Sequence, residues 1–430
     1  MVRRALRLYR LEGRLELLPH GLWADGYPRL WLPPVPGDAV AREPWFWAVD
    51  GRGERHPLAW PGGTPWGDGQ TVFRALAQRG WAGPRPFISR LPLHPHRLPP
   101  AARHLVRQVL LAASRLPPNG SCSFPRWPIE PSWEVWKAVL ACCSLPVPSF
   151  RWPEAERYGL CLSHDVDTAA GQCNVLALAR IEEDLGLRSA WFLAPGNYRI
   201  DRGLWGEMTA RGHEVAAHGL RHDFKLPYLS PRRMAARLDR CCELLAEFGA
   251  AGFRSPAFLR TPPLVEAVAA RFVYDSSVPD TLRLHGPDGT GCVFPWRLGP
   301  LVEVPVTLPY DGELLALGLD ARACFALWCR KAAWIRQVGG LVHLLTHPDP
   351  RFTADRSQRE LYRRTLAAIL EADGPLWHGL PVEAARVAAS QQAGRWQTGE
   401  PASGASSSHE ALVNRATDET ISLTGAGCST

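Results

Sequence analysis

Between residues 157 and 350, short apolar runs alternate with longer stretches whose apolar residues recur every three or four positions. A short run bounded by turn residues reads as a buried strand, and the 3.6-residue period as an amphipathic helix. Strands are predicted at 158–162, 189–194, 213–218, 252–256, 272–276, 301–306 and 341–347. Helices are predicted at 175–186, 203–210, 231–248 and 321–338, then at about 355–372, with a shorter segment to about 389. The punctuation agrees: Pro231 opens one helix with Gly249 after it, and Gly339-Gly340 closes another. Strands alternating with helices in this way build a parallel sheet, wound open or closed as a barrel.

The flanks differ. Residues 1–100 are rich in Trp, Pro and Gly and poor in helical period. Alternating apolar and charged residues from Leu6 to Leu18 predict two short strands around Gly13. Positions 30–32, 45–49 and 57–60 read as further short strands or ordered loops, and Gly62-Gly63, Gly67 and Gly69 mark turns. The first strong helix is at 101–116, and Ser132 is placed to cap a second that runs to about 143. Trp127, Trp133 and Trp136 read either as a sugar-stacking surface or as a staple onto the neighbouring core. The second is preferred, because large aromatics mostly serve packing. From 391 the chain is Ser, Gly, Thr and Ala with little apolar content, a disordered composition. The organisation is thus a Trp/Pro-rich α+β accessory region at 1–150, an α/β domain at 151–390 and a disordered tail at 391–430.

With 430 residues, 46% of them hydrophobic and 21% charged, the chain has ample material for a sizeable core. The net charge of +7 is carried almost wholly by arginine, with lysine only at Lys137, Lys225 and Lys331. These charges are scattered, with neither a basic block nor an aromatic-basic platform, so nucleic acid is not an expected partner. The 11 cysteines show no C-x-x-C spacing, and the adjacent pairs Cys142-Cys143 and Cys241-Cys242 make poor disulfides. They read as reduced thiols of a reducing compartment. The first ten residues lack a signal-peptide core, and no window approaches the roughly 18 apolar residues of a membrane span. A cytoplasmic location is expected.

The chemistry gathers where strands end. The run Tyr158 to Leu162 leads into His164, Asp165 and Asp167. In an extended backbone the two aspartates point the same way, and paired carboxylates at a hydrophobic strand end call for a cation or a shared proton. Asp167 as a simple helix cap is the competing reading. His218 and His222 are four residues apart, and a carboxylate with two histidines is a standard open-site ligand set. Metal-assisted hydrolysis also needs a base, which the other carboxylate can be, and an acid, which a separate histidine can supply. Arg254 would hold the base ionised. His343, inside the same strand as His347, reads as a core histidine. His213 and His164 read as structural or supporting, with His164 placed to tune the base. Glu303 reads equally as cleft-lining or as a surface strand end.

These residues resemble the polysaccharide deacetylases of carbohydrate esterase family 4, with the NodB-homology fold. The resemblance spans about residues 157–350 and rests on five short motifs in family order. Ser163-His-Asp-Val-Asp167 is similar to the first in its Asp-x-Asp form, implying Asp165 as base and Asp167 as metal ligand. His218-Gly-Leu-Arg-His222 is similar to the second, implying both histidines as ligands. Arg254-Ser-Pro-Ala-Phe258 resembles the third, whose Arg tethers the catalytic Asp. Tyr274-Asp-Ser-Ser277 resembles the fourth, a wall of the groove. Leu344-Leu-Thr-His347 resembles the fifth, with Leu344 in the acetyl pocket and His347 as general acid. Pro256, Phe258, Asp275 and Ser276 would join Leu344 along the substrate groove. The pattern departs from the family at Gly219, where Ser or Thr is usual, and at Val278-Pro279, where a Trp is usual.

The fold so implied is a distorted (β/α)7 barrel, and the activity is zinc-dependent, or other divalent-metal-dependent, removal of an N-acetyl group from a sugar. A sugar nucleotide or lipid-linked glycan of surface polysaccharide or lipopolysaccharide synthesis is the expected substrate. Two alternatives stand beside this one: an amidase acting on a small cyclic amide, and a non-catalytic glycan-binding protein.

Overall fold

The computed structural model describes four short N-terminal strands, part of 125–137, and residues 150–392 apart from 284–287, 299 and 351. The N-terminal strands are β1 (Leu15–Leu18), β2 (Gly21–Ala24), β3 (Phe46–Val49) and β4 (Arg55–Ala59), joined in that order as one sheet. The strands expected at 45–49 and 57–60 are thus present. β1 coincides with the second of the two strands expected around Gly13 and pairs antiparallel with β2, whereas residues 6–14 of that expectation lie outside the described residues. The expectations for 30–32, 62–69, 101–116, Trp136 and the tail from 393 onward lie outside the described residues.

The main sheet contains β5 (Tyr158–Val166), β6 (Ala190–Leu193), β7 (Glu214–Ala217), β8 (Gly252–Phe253), β9 (Tyr274–Asp275), β10 (Trp296–Leu298), β11 (Leu301–Glu303), β12 (Leu341–Thr346) and β13 (Leu376–His378). Its order is β10-β11-β9-β8-β7-β6-β5-β12, with β13 also paired to β5. Only β10 runs antiparallel to its neighbour. The seven strands read from the sequence are therefore seven of the eight parallel members of a distorted (β/α) barrel, β13 being the eighth. The additions, β10 and β13, have three residues each, too few to show a period.

Helices cover the outside at Val175–Glu183, Arg202–Ala210, Pro231–Leu245, Ala321–Val338, Arg356–Leu370 and Pro381–Gln392. Two helices were not foreseen, Pro262–Ala269 and Asp311–Ala316. The first opens on two prolines that read as a loop, and the second is too short for a helical stripe. Among the described residues no helix is long and apolar enough to cross a membrane, and the cysteines there are free thiols.

The sheet path leaves β11 and β12 unpaired with each other, and the chain after β11 bridges that gap. Thr307 donates its amide to the His343 carbonyl at 3.2 Å, accepts from the His343 amide at 2.8 Å and donates its hydroxyl to the Leu341 carbonyl at 2.7 Å. A hydroxyl thus replaces ladder bonds that Pro305 and Pro309 cannot make.

Strand alternation then sorts the side chains. Cys161, Phe192, Ala216, Tyr274, Val302 and Leu341 fill the barrel interior. Leu160, Leu162, Val342 and Leu344 face outward beneath Ile181, Trp328, Ile335 and Leu366 of the helices. All nine residues of β5 are buried, so its two faces are set by register rather than by solvent. Among the described residues of 125–137, Trp133 packs on the barrel: it is buried, and its indole N–H donates to the Thr290 carbonyl at 2.7 Å. Ser132 does not cap the helical turn but lies inside it, donating its amide and hydroxyl to Glu130 Oε1 at 2.9 and 2.5 Å.

Candidate active site and metal centre

Continuing the interior face of β5 upward from Cys161 through Ser163 leads to Asp165, and neighbouring strands bring Phe192, Arg254 and His218 around it. Arg254 is fully buried. Its Nη1 donates to Asp165 Oδ1 at 2.7 Å, its Nη2 to the hydroxyls of Ser163 and Ser276 at 3.0 and 2.9 Å, and its Nε to the Ser276 carbonyl at 3.2 Å. The guanidinium also lies 4.0 Å from the centre of the Phe192 ring. Planar, multidentate recognition of this kind suits Arg and not Lys. Burial alone would raise the Asp165 carboxyl, but His218, Arg254 and His347 outweigh it and hold the group below the usual carboxylate range. Asp165 is built to be ionised.

Asp167, His218 and His222 lie beside it, at the ends of β5 and β7. Their donor atoms lie within 4.8 Å of one another. His218 Nε2 stands 3.5 Å from Asp167 Oδ1 and 3.6 Å from Asp165 Oδ2, and His222 Nε2 stands 3.6 Å from Asp167 Oδ2. His218 Nδ1 donates to the Arg254 carbonyl at 3.0 Å, which fixes the tautomer and leaves the Nε2 lone pair facing the site. Burial first, then Arg254 and His347, pulls its pKa down to about 4, so the ring is neutral, as a ligand must be. Burial, with Asp349, Asp165 and Asp311 nearby, drives the Asp167 carboxyl well above its usual range. Asp167 Oδ1 and His218 Nε2 are buried and make no hydrogen bond. Buried polar atoms left bare in this way are costly, and a divalent cation between them would satisfy both. The donor set therefore fits a metal ion.

Across the site stands His347. Its Nδ1 donates to Asp311 Oδ1 at 2.7 Å, and Asp311 Oδ2 accepts from the His347 amide and the Thr353 hydroxyl, each at 2.8 Å. Burial opposes a charge on this ring, but Asp311, Asp167 and Asp165 prevail and raise its pKa to about 10. Asp311 thus holds the protonated ring in one orientation.

Gly219, between His218 and His222, has φ +67°, a left-handed conformation that favours glycine. The same sign at Phe224, Ala257 and Phe258 places strained backbone in the loops after β7 and β8 that flank the site. Phe258, Leu282, Val306 and Leu345 form an apolar cluster with Tyr310, whose ring centre lies 5.8 Å from that of His347. Pro256 lies beside Gly219, 3.6 Å from where a Cβ there would stand.

Three expectations change. Leu344 points outward into the helix-covered layer, and Leu345, one residue on, faces the apolar cluster near His347. Ser276 braces Arg254. Asp275 faces away from the interior, accepting from the Ser277 hydroxyl at 2.6 Å and pairing with Glu303 across β9 and β11. Burial raises Asp275 to about 6, and burial with Asp275 beside it raises Glu303 well above its usual range, so the two share a proton away from the groove.

His343 is the expected interior histidine, accepting from Ser163 Oγ at 2.8 Å and donating to the Pro305 carbonyl at 3.0 Å. His164 faces outward. Its Nε2 lies 2.6 Å from Glu182 Oε1 and its Nδ1 2.9 Å from Thr346 Oγ1, and its ring stacks on Trp191. His213 joins the same layer through Ser189 and Glu183. Sequence reasoning missed Asp311, Asp349 and Asn197. The only signal for any of them was Asp349 two residues after His347, which repeats the spacing of Asp165 and Asp167.

No family model matches the sequence, and no curated protein matches it. Solved structures do. A chain described as a "putative polysaccharide deacetylase from Mycobacterium smegmatis" aligns with TM-score 0.50 at 20% identity, over 59% of this chain and 98% of that one. A "probable Polysaccharide deacetylase from Pseudomonas aeruginosa PAO1" aligns at 0.47 and 15%, over 64% and 100% of the two chains. Puue allantoinase aligns at 0.46 and 14%, over 63% and 98%. The first of these likenesses establishes the fold that the five motifs imply.

Proposed function

We propose that this chain is a metal-dependent carbohydrate N-deacetylase of the polysaccharide deacetylase type. The observation that carries the reading is the convergence of three differently tuned groups: an ionised Asp165, a neutral His218 with a bare Nε2, and a protonated His347. Hydrolysis of an amide needs a base for water, an electrophile for the carbonyl and an acid for the departing nitrogen. Asp167, His218 and His222 would hold the ion, for which zinc is the proposal. When bound it supplies Lewis-acid chemistry, polarising a carbonyl oxygen and acidifying water.

Asp165 accepts the proton of the attacking water, and Arg254 keeps that carboxylate charged and pointed. His347 gives its proton to the amine nitrogen as the carbon–nitrogen bond breaks, and Asp311 stabilises the imidazolium before transfer. The apolar cluster of Phe258, Val306 and Leu345 suits the methyl of an acetyl group. Arg199 and Arg221, exposed in the loops after β6 and β7, favour an anionic substrate, and we propose a sugar nucleotide or lipid-linked glycan of surface polysaccharide synthesis. Release of acetate is to be measured on a panel of N-acetylated sugars, sugar nucleotides and cyclic amides. Turnover confined to the cyclic amides would replace this reading with a non-sugar amidase.

A further inference from the structure

Asp167 and His222 sit in loops that follow different strands, β5 and β7, yet one side chain holds the main chain of both. Asn197, in the loop after β6, donates from Nδ2 to the Asp167 carbonyl at 3.2 Å. Its Oδ1 accepts from the His222 amide at 3.3 Å. A carboxamide presents a donor and an acceptor side by side, and only this orientation of the amide satisfies both contacts. The loop itself is seated firmly. Gly196 donates its amide to the Leu220 carbonyl at 2.7 Å, and a Cβ at Gly196 would stand 2.6 Å from that oxygen. The Asn197 amide donates to the Ala194 carbonyl at 2.9 Å, and the adjacent Tyr198 hydroxyl donates to the Val166 carbonyl at 2.7 Å. The other flank of Asp167 is held by Asp349, which accepts from the Asp167 amide at 3.4 Å and from the Thr168 hydroxyl.

We propose that Asn197 is a positioning residue of the metal centre, setting the separation of Asp167 and His222 so that the ligand set is formed before the ion arrives. The inference rests on the metal reading above and adds to it a residue that touches no ligand atom. Groups that orient metal ligands typically change metal affinity by about 10–100-fold when removed.

The test is zinc affinity of the full chain, by competition with a chromophoric chelator, with thermal unfolding of the metal-free protein as the check on folding. Asn197→Ala is expected to bind zinc about 10–100-fold more weakly while its metal-free melting temperature stays near that of the wild type. Asn197→Ser is measured beside it, so that a folding failure of one leaves the other to decide. Gly196→Ala, which lifts the loop off Leu220, weakens zinc in the same direction. In a His222→Ala background the Asn197 change has little left to act on, so the double variant binds as His222→Ala does. Affinities within twofold of wild type in the Asn197 variants, with zinc bound more weakly by His222→Ala, overturn the positioning role alone. A wild-type chain that takes up no zinc overturns it together with the metal reading.

Discussion

Replacing Asp311 by Asn tests whether the proton donor is made by its partner. The change keeps the size of the side chain and removes the charge 2.7 Å from His347 Nδ1. An opposite charge at that range raises a histidine by about 1–3 pKa units, or roughly 1.4–4 kcal/mol of preference for the imidazolium. In the wild type this preference defeats burial and brings the ring to about 10. A bound divalent ion opposes the ring's charge as well, so the working value lies lower than that. The sign is fixed by the role: only the protonated ring can donate, so activity holds below its pKa and is lost as pH rises through it. In Asp311→Asn the alkaline limb of kcat/KM should move down by about 1–3 units, so that at pH values above both limbs activity is about 10–1000-fold lower than wild type. The assay is kcat/KM for acetate release between pH 5 and 10 on protein of verified zinc content, since Asp311 lies outside the ligand set. An unchanged alkaline limb would refute the assignment of His347 and its partner.

Other perturbations probe the rest of the frame. Arg254→Met strips a buried carboxylate of its partner, which should cost about 3–5 kcal/mol, or roughly 6–20 °C in melting temperature. It should also move the acidic limb of kcat/KM upward, and a variant as stable as wild type would contradict the buried pair. Glu303→Gln addresses stability against pH. The folded-state pKa values of Asp275 and Glu303 are raised, so the fold binds more protons than the unfolded chain, and wild-type stability falls as pH rises through about 6. The variant should melt higher than wild type at pH 8 and lose that advantage near pH 4, as scanning calorimetry at the two pH values would show. Leu344→Ala should lower stability by about 2–5 kcal/mol with KM unchanged, whereas Leu345→Ala should alter KM; thermal melts and saturation kinetics separate the two.

The parallel strands were legible because each is a short apolar run, and the barrel follows from their alternation with helices. The candidate site was legible because chemistry at strand ends is dense: Asp167, His218 and Arg254 directly follow Val166, Ala217 and Phe253, and Asp165 stands two residues before Asp167. What stayed hidden depends on which way a side chain turns near a strand end. Leu344 and Leu345 are chemically identical neighbours, and only the pairing of β12 with β5 decides which faces the site. Asp275 looked like a groove wall for the same reason, although its register with Glu303 turns it outward. Asp311 reaches His347 across 36 residues from a helix too short to leave a pattern. Asn197 acts through main-chain atoms, which leave no trace in residue identity. His164, unexplained by any motif, ties β5 to β12 and to the helix bearing Glu182, one residue from Asp165 and, through Thr346, one residue from His347.

The most direct measurement is acetate released from an N-acetylated sugar by the zinc-loaded chain, beside Asp165→Asn and His347→Ala carrying the same zinc. The account predicts one acetate for each free amine from the wild type and no turnover from either variant, with one zinc per chain in all three. Full activity in either variant, or a zinc-loaded wild type that releases no acetate from any glycan, would contradict it.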